Sequence, residues 1–259
     1  MNVASALITD GKPQDAILLL TRAIQITPND PALRFQLGVA FQRVQNPSSA
    51  LQQFAEVVRL RPDFAEGQDS LALTEMEVGR DAEALPHFRE AARLGPNSAG
   101  AHSNLAIALQ QHGELAEAIK EYIAALKLNP DNASAENNLA LALAATGQTD
   151  DAIGHFHQAI RVQPATAEFH INLADLLLAS GRTSPAIEEY EQAVTLSPGL
   201  AEGQYRLAKA YASVGRVSDA VTALEHALNI ARAAGQADEV QQITETLRVL
   251  RGRIRRLSQ

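Results

Sequence analysis

Residues 99–132 read AGAHSNLAIALQQHGELAEAIKEYIAALKLNPDN, and residues 133–166, ASAENNLALALAATGQTDDAIGHFHQAIRVQPAT, repeat their pattern. In each block an apolar-periodic run leads to a Gly, a second apolar-periodic run follows, and a Pro sits near the end. Working outward, Pro28, Pro62, Pro96, Pro130, Pro164 and Pro198 stand 34 residues apart, so six of the eleven prolines fall on one lattice. Composition does not produce such spacing, whereas a repeated structural unit does. Apolar residues at helical spacing on both sides of a glycine make that unit a helix–turn–helix hairpin.

The punctuating residues carry mechanical reasons. Gly79, Gly113, Gly147, Gly181 and Gly215 share one column at the end of the first helix, with Gly11 and, as the exception, Gln45 before them. A left-handed helix cap needs a positive φ, which Gly adopts without a Cβ clash. The lattice prolines follow the second helix, whose hydrogen-bond ladder they cannot continue. Asp30–Pro31 and Ser184–Pro185 read as an N-cap and a first helical residue. Pro86 is irregular, falling inside a second helix, where it removes one hydrogen bond.

Packing columns follow the same period. Gly38, Ala72, Ala106, Ala140, Ala174 and Ala208 are small, as are Ala16, Ala50, Ala84, Ala118, Ala152, Ala186 and Ala220. Large residues fill the facing gaps: Leu37, Leu71, Leu105, Leu139, Leu173 and Leu207 in one column, Phe54, Phe88, Tyr122, Phe156 and Tyr190 in another. A further Ala-rich column, in which Val57 replaces Ala, is expected to meet the next hairpin.

On these columns the chain resembles the tetratricopeptide repeat family. The resemblance covers residues 1–234, as a partial repeat over 1–30 and full repeats over 31–64, 65–98, 99–132, 133–166, 167–200 and 201–234; residues 235–259 form a C-terminal capping helix with a basic tail. Two departures stand out: the family's usual aromatic opposite the first turn is missing, and Arg232 replaces the seventh lattice proline. The resemblance implies an all-α, right-handed superhelical α-solenoid of antiparallel helix hairpins. First helices would line a concave groove and second helices the convex back. Residues 101–119, AHSNLAIALQQHGELAEAI, are in particular similar to the repeats of O-linked N-acetylglucosamine transferase, in which an asparagine ladder holds the backbone of substrate peptides. That role carries over to Asn104, Asn138 and Asn172 alone. No glycosyltransferase domain accompanies them, and the Lys–Asn carboxylate clamp of chaperone-binding relatives would fall on Ser103 and Ile107, which cannot supply it.

The groove is therefore the candidate site. One inner column reads Gln36, Ser70, Asn104, Asn138, Asn172, Arg206. An amide offers donors and an acceptor, so three Asn at the repeat spacing suit the N–H and C=O groups of an extended chain; the competing reading is that they satisfy backbone at the bend. The next column reads Val39, Leu73, Ile107, Leu141, then Asp175 and Lys209. Its apolar members either pack between neighbouring helices or form a track for a partner's hydrophobic side chains. With Arg43, Glu66, Asp69, Glu77, Glu168 and Glu202 also on this face, the groove leans acidic and favours neutral or basic ligands.

Composition limits the alternatives. Net charge is −8, and Arg248, Arg251, Arg253, Arg255 and Arg256 follow the last acid, leaving about −13 for the rest. Nucleic-acid binding along the chain is disfavoured, and the Arg-rich tail is the one feature suited to an anionic surface. There is no Cys. None of the seven His has a carboxylate or second His at i+4 in a metal-binding arrangement, and no Gly-rich phosphate loop is present. No catalytic residue, metal site or cofactor is expected, so the reading is a non-enzymatic scaffold for a protein or peptide. The alternative is a substrate-recruiting arm of a larger enzyme such as a glycosyltransferase. No run approaches the roughly 20 apolar residues of a membrane span and no signal peptide is visible, so a cytoplasmic location is the default. Near the end, Val240, Ile243, Leu247, Leu250, Ile254 and Leu257 form one helical stripe from about Asp238. It reads either as a cap on the last repeat or as a seam for homo-oligomerisation.

Overall fold

Apolar periodicity interrupted by a residue able to adopt positive φ yields two helices joined by a tight turn, and this arrangement recurs throughout the chain. The computed structural model describes residues 3–257, with side chains placed through Gly252. Among the described residues there are fifteen helices and no strand. They divide into two compact units, residues 1–130 and 131–259.

The first unit contains α1 (Val3–Thr9), α2 (Pro13–Ile26), α3 (Pro31–Arg43), α4 (Pro47–Leu60), α5 (Ala65–Glu77), α6 (Asp81–Leu94), α7 (Ala99–Gln111) and α8 (Leu115–Leu128). The second contains α9 (Ala133–Ala145), α10 (Thr149–Val162), α11 (Ala167–Ala179), α12 (Thr183–Leu196), α13 (Ala201–Ser213), α14 (Val217–Ala233) and α15 (Ala237–Leu257). Within each unit, helices pack in consecutive pairs, and each second helix packs on the next first helix. No described helix is long and apolar enough to cross a membrane.

Turn chemistry explains the helix ends. Gly79 takes φ 77°, and Gln45, at the same place in its own repeat, is forced to φ 55° despite its Cβ. The Asp30 carboxylate accepts from the backbone N–H of Ala32 (2.8 Å) and Leu33 (3.3 Å), which makes it the N-cap of α3. Ser184 is not a cap. Helix α12 starts at Thr183 behind Arg182, placing Ser184 and Pro185 inside the first turn, where a missing N–H costs nothing because that turn has no acceptor for it. Pro86 does lie inside α6. Where Arg232 replaces the lattice proline, α14 continues to Ala233 and spans 17 residues, against 14 for α12.

The core runs along these columns. Ala72, Ala106, Ala140, Ala174 and Ala208 are fully buried, as are Phe54, Phe88 and Phe156, with Tyr122 and Tyr190 nearly so. Gly38 shows why the small column matters: a Cβ there would lie 2.6 Å from the Phe54 ring. Burying an aromatic side chain of this size contributes on the order of 2–3 kcal/mol. The five hairpins from α3–α4 to α11–α12 are each anchored by an aromatic, while Leu20 and Leu224 fill the same place in the hairpins before and after them.

Candidate functional site

Side chains facing out of α3, α5 and α7 in the first unit, and α9, α11 and α13 in the second, carry the residues singled out from the sequence. Asn104 turns its amide sideways and donates to both carboxylate oxygens of Asp69 on α5, at 2.9 and 3.1 Å. Burial raises the Asp69 carboxyl above its usual range, the Asn104 bond opposes that rise, and Glu66 adds to it. In the second unit Asn172 donates to Asn137 on α9 (2.9 Å), whose own amide donates to Asn138 (3.3 Å). The amide column therefore stitches a first helix to the first helix before it. Among the described residues, no bond occupies the carbonyl oxygens of Asn104 and Asn172. Each amide is half committed to architecture and half presented.

The apolar column splits between its two readings. Val39 packs against the cluster of Ala50, Phe54 and Leu71. Leu73 is 41% exposed, while Ile107 and Leu141 are half-buried. Where the column turns charged, the side chains converge. Asp175 accepts from the Tyr190 hydroxyl and from Arg206, and Arg206 also binds Glu202 through Nε at 3.0 Å. Burial works against the Arg206 charge, but the Glu202 and Asp175 contacts outweigh it and raise the pKa further. Burial, reinforced by Asp175, holds the Tyr190 phenol protonated well above its usual range.

These groups line a pocket of about 440 Å³. Its walls come from α11 (Asp175, Leu178), α12 (Tyr190), α13 (Ala201, Glu202, Tyr205, Arg206, Lys209) and α15 (Glu239, Gln242, Ile243). The Lys209 ammonium stands 5.7 Å from the Tyr205 ring centre, and Gln242 donates to the Tyr205 hydroxyl at 3.2 Å. The pocket thus brings together Asp175, Arg206 and Lys209. Tyr205, Glu239 and Gln242 went unread in the sequence, and Ile243 was read only as part of the C-terminal stripe, because the proline and glycine lattice says nothing about where α15 lies.

Helix α15 takes the place of a further first helix against α14. Its stripe is spent there: Ile243 and Leu247 are each 3% exposed and Leu250 9%. These three residues are buried within their own chain, which favours the cap over the seam. Val240 is half-buried, and Ile254 lies outside the described side chains.

The histidines also find partners that local spacing did not reveal. His102 meets Glu121 at 2.6 Å, His155 meets Glu136 at 2.6 Å and His170 meets Glu189 at 2.7 Å, each across its hairpin between residues 19 apart. Gln68 accepts from His87 (2.7 Å) and Gln53 from Arg34 (3.1 Å) at the same two positions. The first-helix member often reaches the preceding lattice proline as well: Arg34 to the Pro28 carbonyl (2.9 Å), Gln68 to Pro62 (2.8 Å), His102 to Pro96 and His170 to Pro164 (3.2 Å each). These pairs hold the hairpins closed. Among the described residues, no three His, Asp or Glu side chains converge as a metal site requires.

Two sequence-family models, both describing tetratricopeptide repeats, match the chain, one over residues 70–199 and the other over 7–73 and 177–243. No curated protein matches it. Among solved structures it is similar to pilF of Pseudomonas aeruginosa (TM-score 0.67, 18% identity, covering 83% of this chain and 97% of that one). YrrB, described as a TPR protein with an unusual peptide-binding site, gives a TM-score of 0.62 at 20% identity, covering 69% and 92%. MamA gives 0.59 at 22%, covering 63% and 96%. At these identities the likeness is one of fold.

Proposed function

Because this chain belongs to the tetratricopeptide repeat family, we propose that it is a non-catalytic protein-interaction scaffold that holds an extended peptide, or a partner's helix, against the first-helix face of its hairpins. One observation carries the reading for the second unit. The charged end of the groove-facing column closes, with α15, into a concave pocket of about 440 Å³ with Tyr205 in its wall. Concave sites with aromatic walls and a few fixed polar groups are where peptide side chains gain most affinity.

The physics is preorganisation. The Asp175–Arg206–Glu202 network holds its side chains in place before a ligand arrives, which reduces the ordering cost of association. The unoccupied carbonyl of Asn172 supports a role in accepting a peptide N–H, at roughly 1 kcal/mol net per bond. Leu73 and Ile107 support a separate apolar contact in the first unit. YrrB, described as carrying a peptide-binding site, lends the reading a precedent in the same fold.

The test is selection of a phage-displayed random peptide library on the full chain, followed by fluorescence anisotropy with the enriched peptides. Tyr205→Ala and Lys209→Ala are expected to weaken them at least fivefold, roughly one lost favourable contact, with helicity unchanged. Failure to enrich any peptide, or enriched peptides indifferent to both variants, would refute the reading.

A further inference from the structure

A second concavity lies on the other side of α15. Because α14 runs three residues past the length of its counterparts, Arg232 stands on helix rather than in a turn. It lines a crease of about 610 Å³ with Leu228 of α14 and Thr244, Leu247, Arg248 and Arg251 of α15. Three arginines therefore line one crease and no acid does, although Arg248 and Arg251 are paired with Glu245 and Glu225 beside it, in a chain whose net charge is −8.

The three arginines differ in how far they are committed. Arg232 makes no side-chain hydrogen bond or ion pair among the described residues. Arg248 holds Glu245, one turn away on its own helix, in a two-point hydrogen bond through Nε (3.0 Å) and Nη2, and Arg251 reaches Glu225 on α14, with all four side chains about half exposed or more. Exposed pairs contribute little to stability unless they are bidentate, so a ligand carboxylate meets Arg232 unopposed and competes with Glu225 and Glu245 for the other two guanidinium groups. A guanidinium fork matches a carboxylate in a two-point hydrogen bond, which Lys cannot do. The floor of the crease, at Leu228 and the buried Leu247, is apolar.

The geometry points to a docking site in the α14–α15 crease for an acidic peptide segment, with Asp or Glu side chains on Arg232, Arg248 and Arg251 and an aliphatic side chain on Leu228. Charge complementarity sets the sign of the occupant. Shape sets its class, because a flat bilayer cannot reach the floor of a concave crease, whereas one aliphatic side chain can. The site is separate from the groove pocket and does not depend on it.

The experiment uses the full chain and a fluorescein-labelled peptide with a leucine between two pairs of glutamates, beside matched peptides bearing glutamines or lysines instead. The expected result is binding of the glutamate peptide alone, weakening steeply as salt rises. Arg232→Gln should reduce it roughly fivefold, the equivalent of one charge-assisted hydrogen bond at a half-exposed site, and Gln at all three crease positions should abolish it. Arg161→Gln, on α10 and away from the crease, should leave it unchanged, with circular dichroism reporting helicity throughout. Equal binding of the glutamine or lysine peptide, or no binding up to about 1 mM, overturns the proposal. So does loss of binding on replacing Arg253, Arg255 and Arg256 with Gln when the crease variants retain it. Recruitment to phosphatidylserine vesicles through the crease arginines, without peptide binding, overturns it in favour of a membrane.

Discussion

Glu75 occupies a position where the other repeats place Phe41, Leu109, Leu143, Leu177 and Tyr211. It is 5% exposed, and its Oε2 is buried with no hydrogen-bond partner. The nearest cationic candidate is no help. Gln68, whose amide nitrogen is tied to the Pro62 carbonyl, accepts from Nδ1 of His87, so the neutral ring turns a bare Nε2 toward Glu75 at 3.9 Å. Burial pushes the Glu75 carboxyl up from 4.5 to about 7, with Glu83 adding to the rise and Arg80 opposing it. A folded-state pKa above the unfolded value means that the native chain holds a proton the unfolded chain has released. The stabilisation is therefore complete below about pH 4.5, declines as pH rises, and is gone above about pH 7. Ionisation across that window withdraws about 3 kcal/mol.

Replacing Glu75 with Leu should remove that loss and restore the column's apolar character. The variant is expected to be about 3 kcal/mol more stable than the parent near pH 8 and to converge on it near pH 4. Burial holds His87 below its usual pKa, which costs stability in the opposite direction, as pH falls. Repeating the comparison in a His87→Gln background separates the two. Repeat arrays open locally, so amide hydrogen exchange over α5 and α6 is the direct assay, with urea denaturation beside it. A parent-minus-variant difference that does not change between those two pH values, or a Leu variant less stable than the parent at the higher one, would refute the reasoning.

Three further outcomes follow from the same structure. Gln45→Gly should raise stability by about 0.5–1 kcal/mol by relieving a left-handed cap, read as a higher melting temperature. Gly67→Ala should cost about 1–3 kcal/mol, because its Cβ would meet Val57 Cγ1 at 2.9 Å and the Phe64 ring at 2.8 Å; adding Val57→Ala should recover part of the loss, and a double-mutant cycle measures the coupling. His170→Leu should cost about 1–3 kcal/mol by stranding Glu189 and the Pro164 carbonyl, whereas His170→Gln should cost less, since Gln68 already reaches a lattice proline from that position; thermal melts of both variants distinguish them.

What the sequence made legible was whatever one residue type repeats. The glycine column, the alanine columns and the buried aromatics each answer the same steric demand in every hairpin, so identity itself is the signal. The cross-hairpin pairs answer an equally regular demand with changing chemistry: Arg34 with Gln53, Gln68 with His87, His102 with Glu121, Glu136 with His155. Only the complementarity of two positions repeats, and a reading of single columns passes over it. The amide column was located, but its sideways bonds to Asp69 and Asn137 depend on how neighbouring first helices sit, which periodicity does not specify. The pocket shows the same limit: Asp175, Arg206 and Lys209 were legible as a column, while Glu239, Gln242 and Ile243 entered only through the docking of α15.

The places where a column breaks its own rule are also the places where chemistry gathers. Apolar residues give way to Asp175 and Lys209, and a pocket lies there. The seventh proline gives way to Arg232, α14 lengthens, and a basic crease forms along the added turn. Glu75 replaces a core leucine and leaves a hairpin whose stability responds to pH near neutrality. A hairpin needs its small residues, a large buried apolar side chain and a turn residue at positive φ; it does not need an acid, a lysine or an arginine at these positions. Substitutions that the fold does not require, and in the case of Glu75 opposes, are where partner recognition should be sought, and restoring the column residue at each one separates architecture from binding.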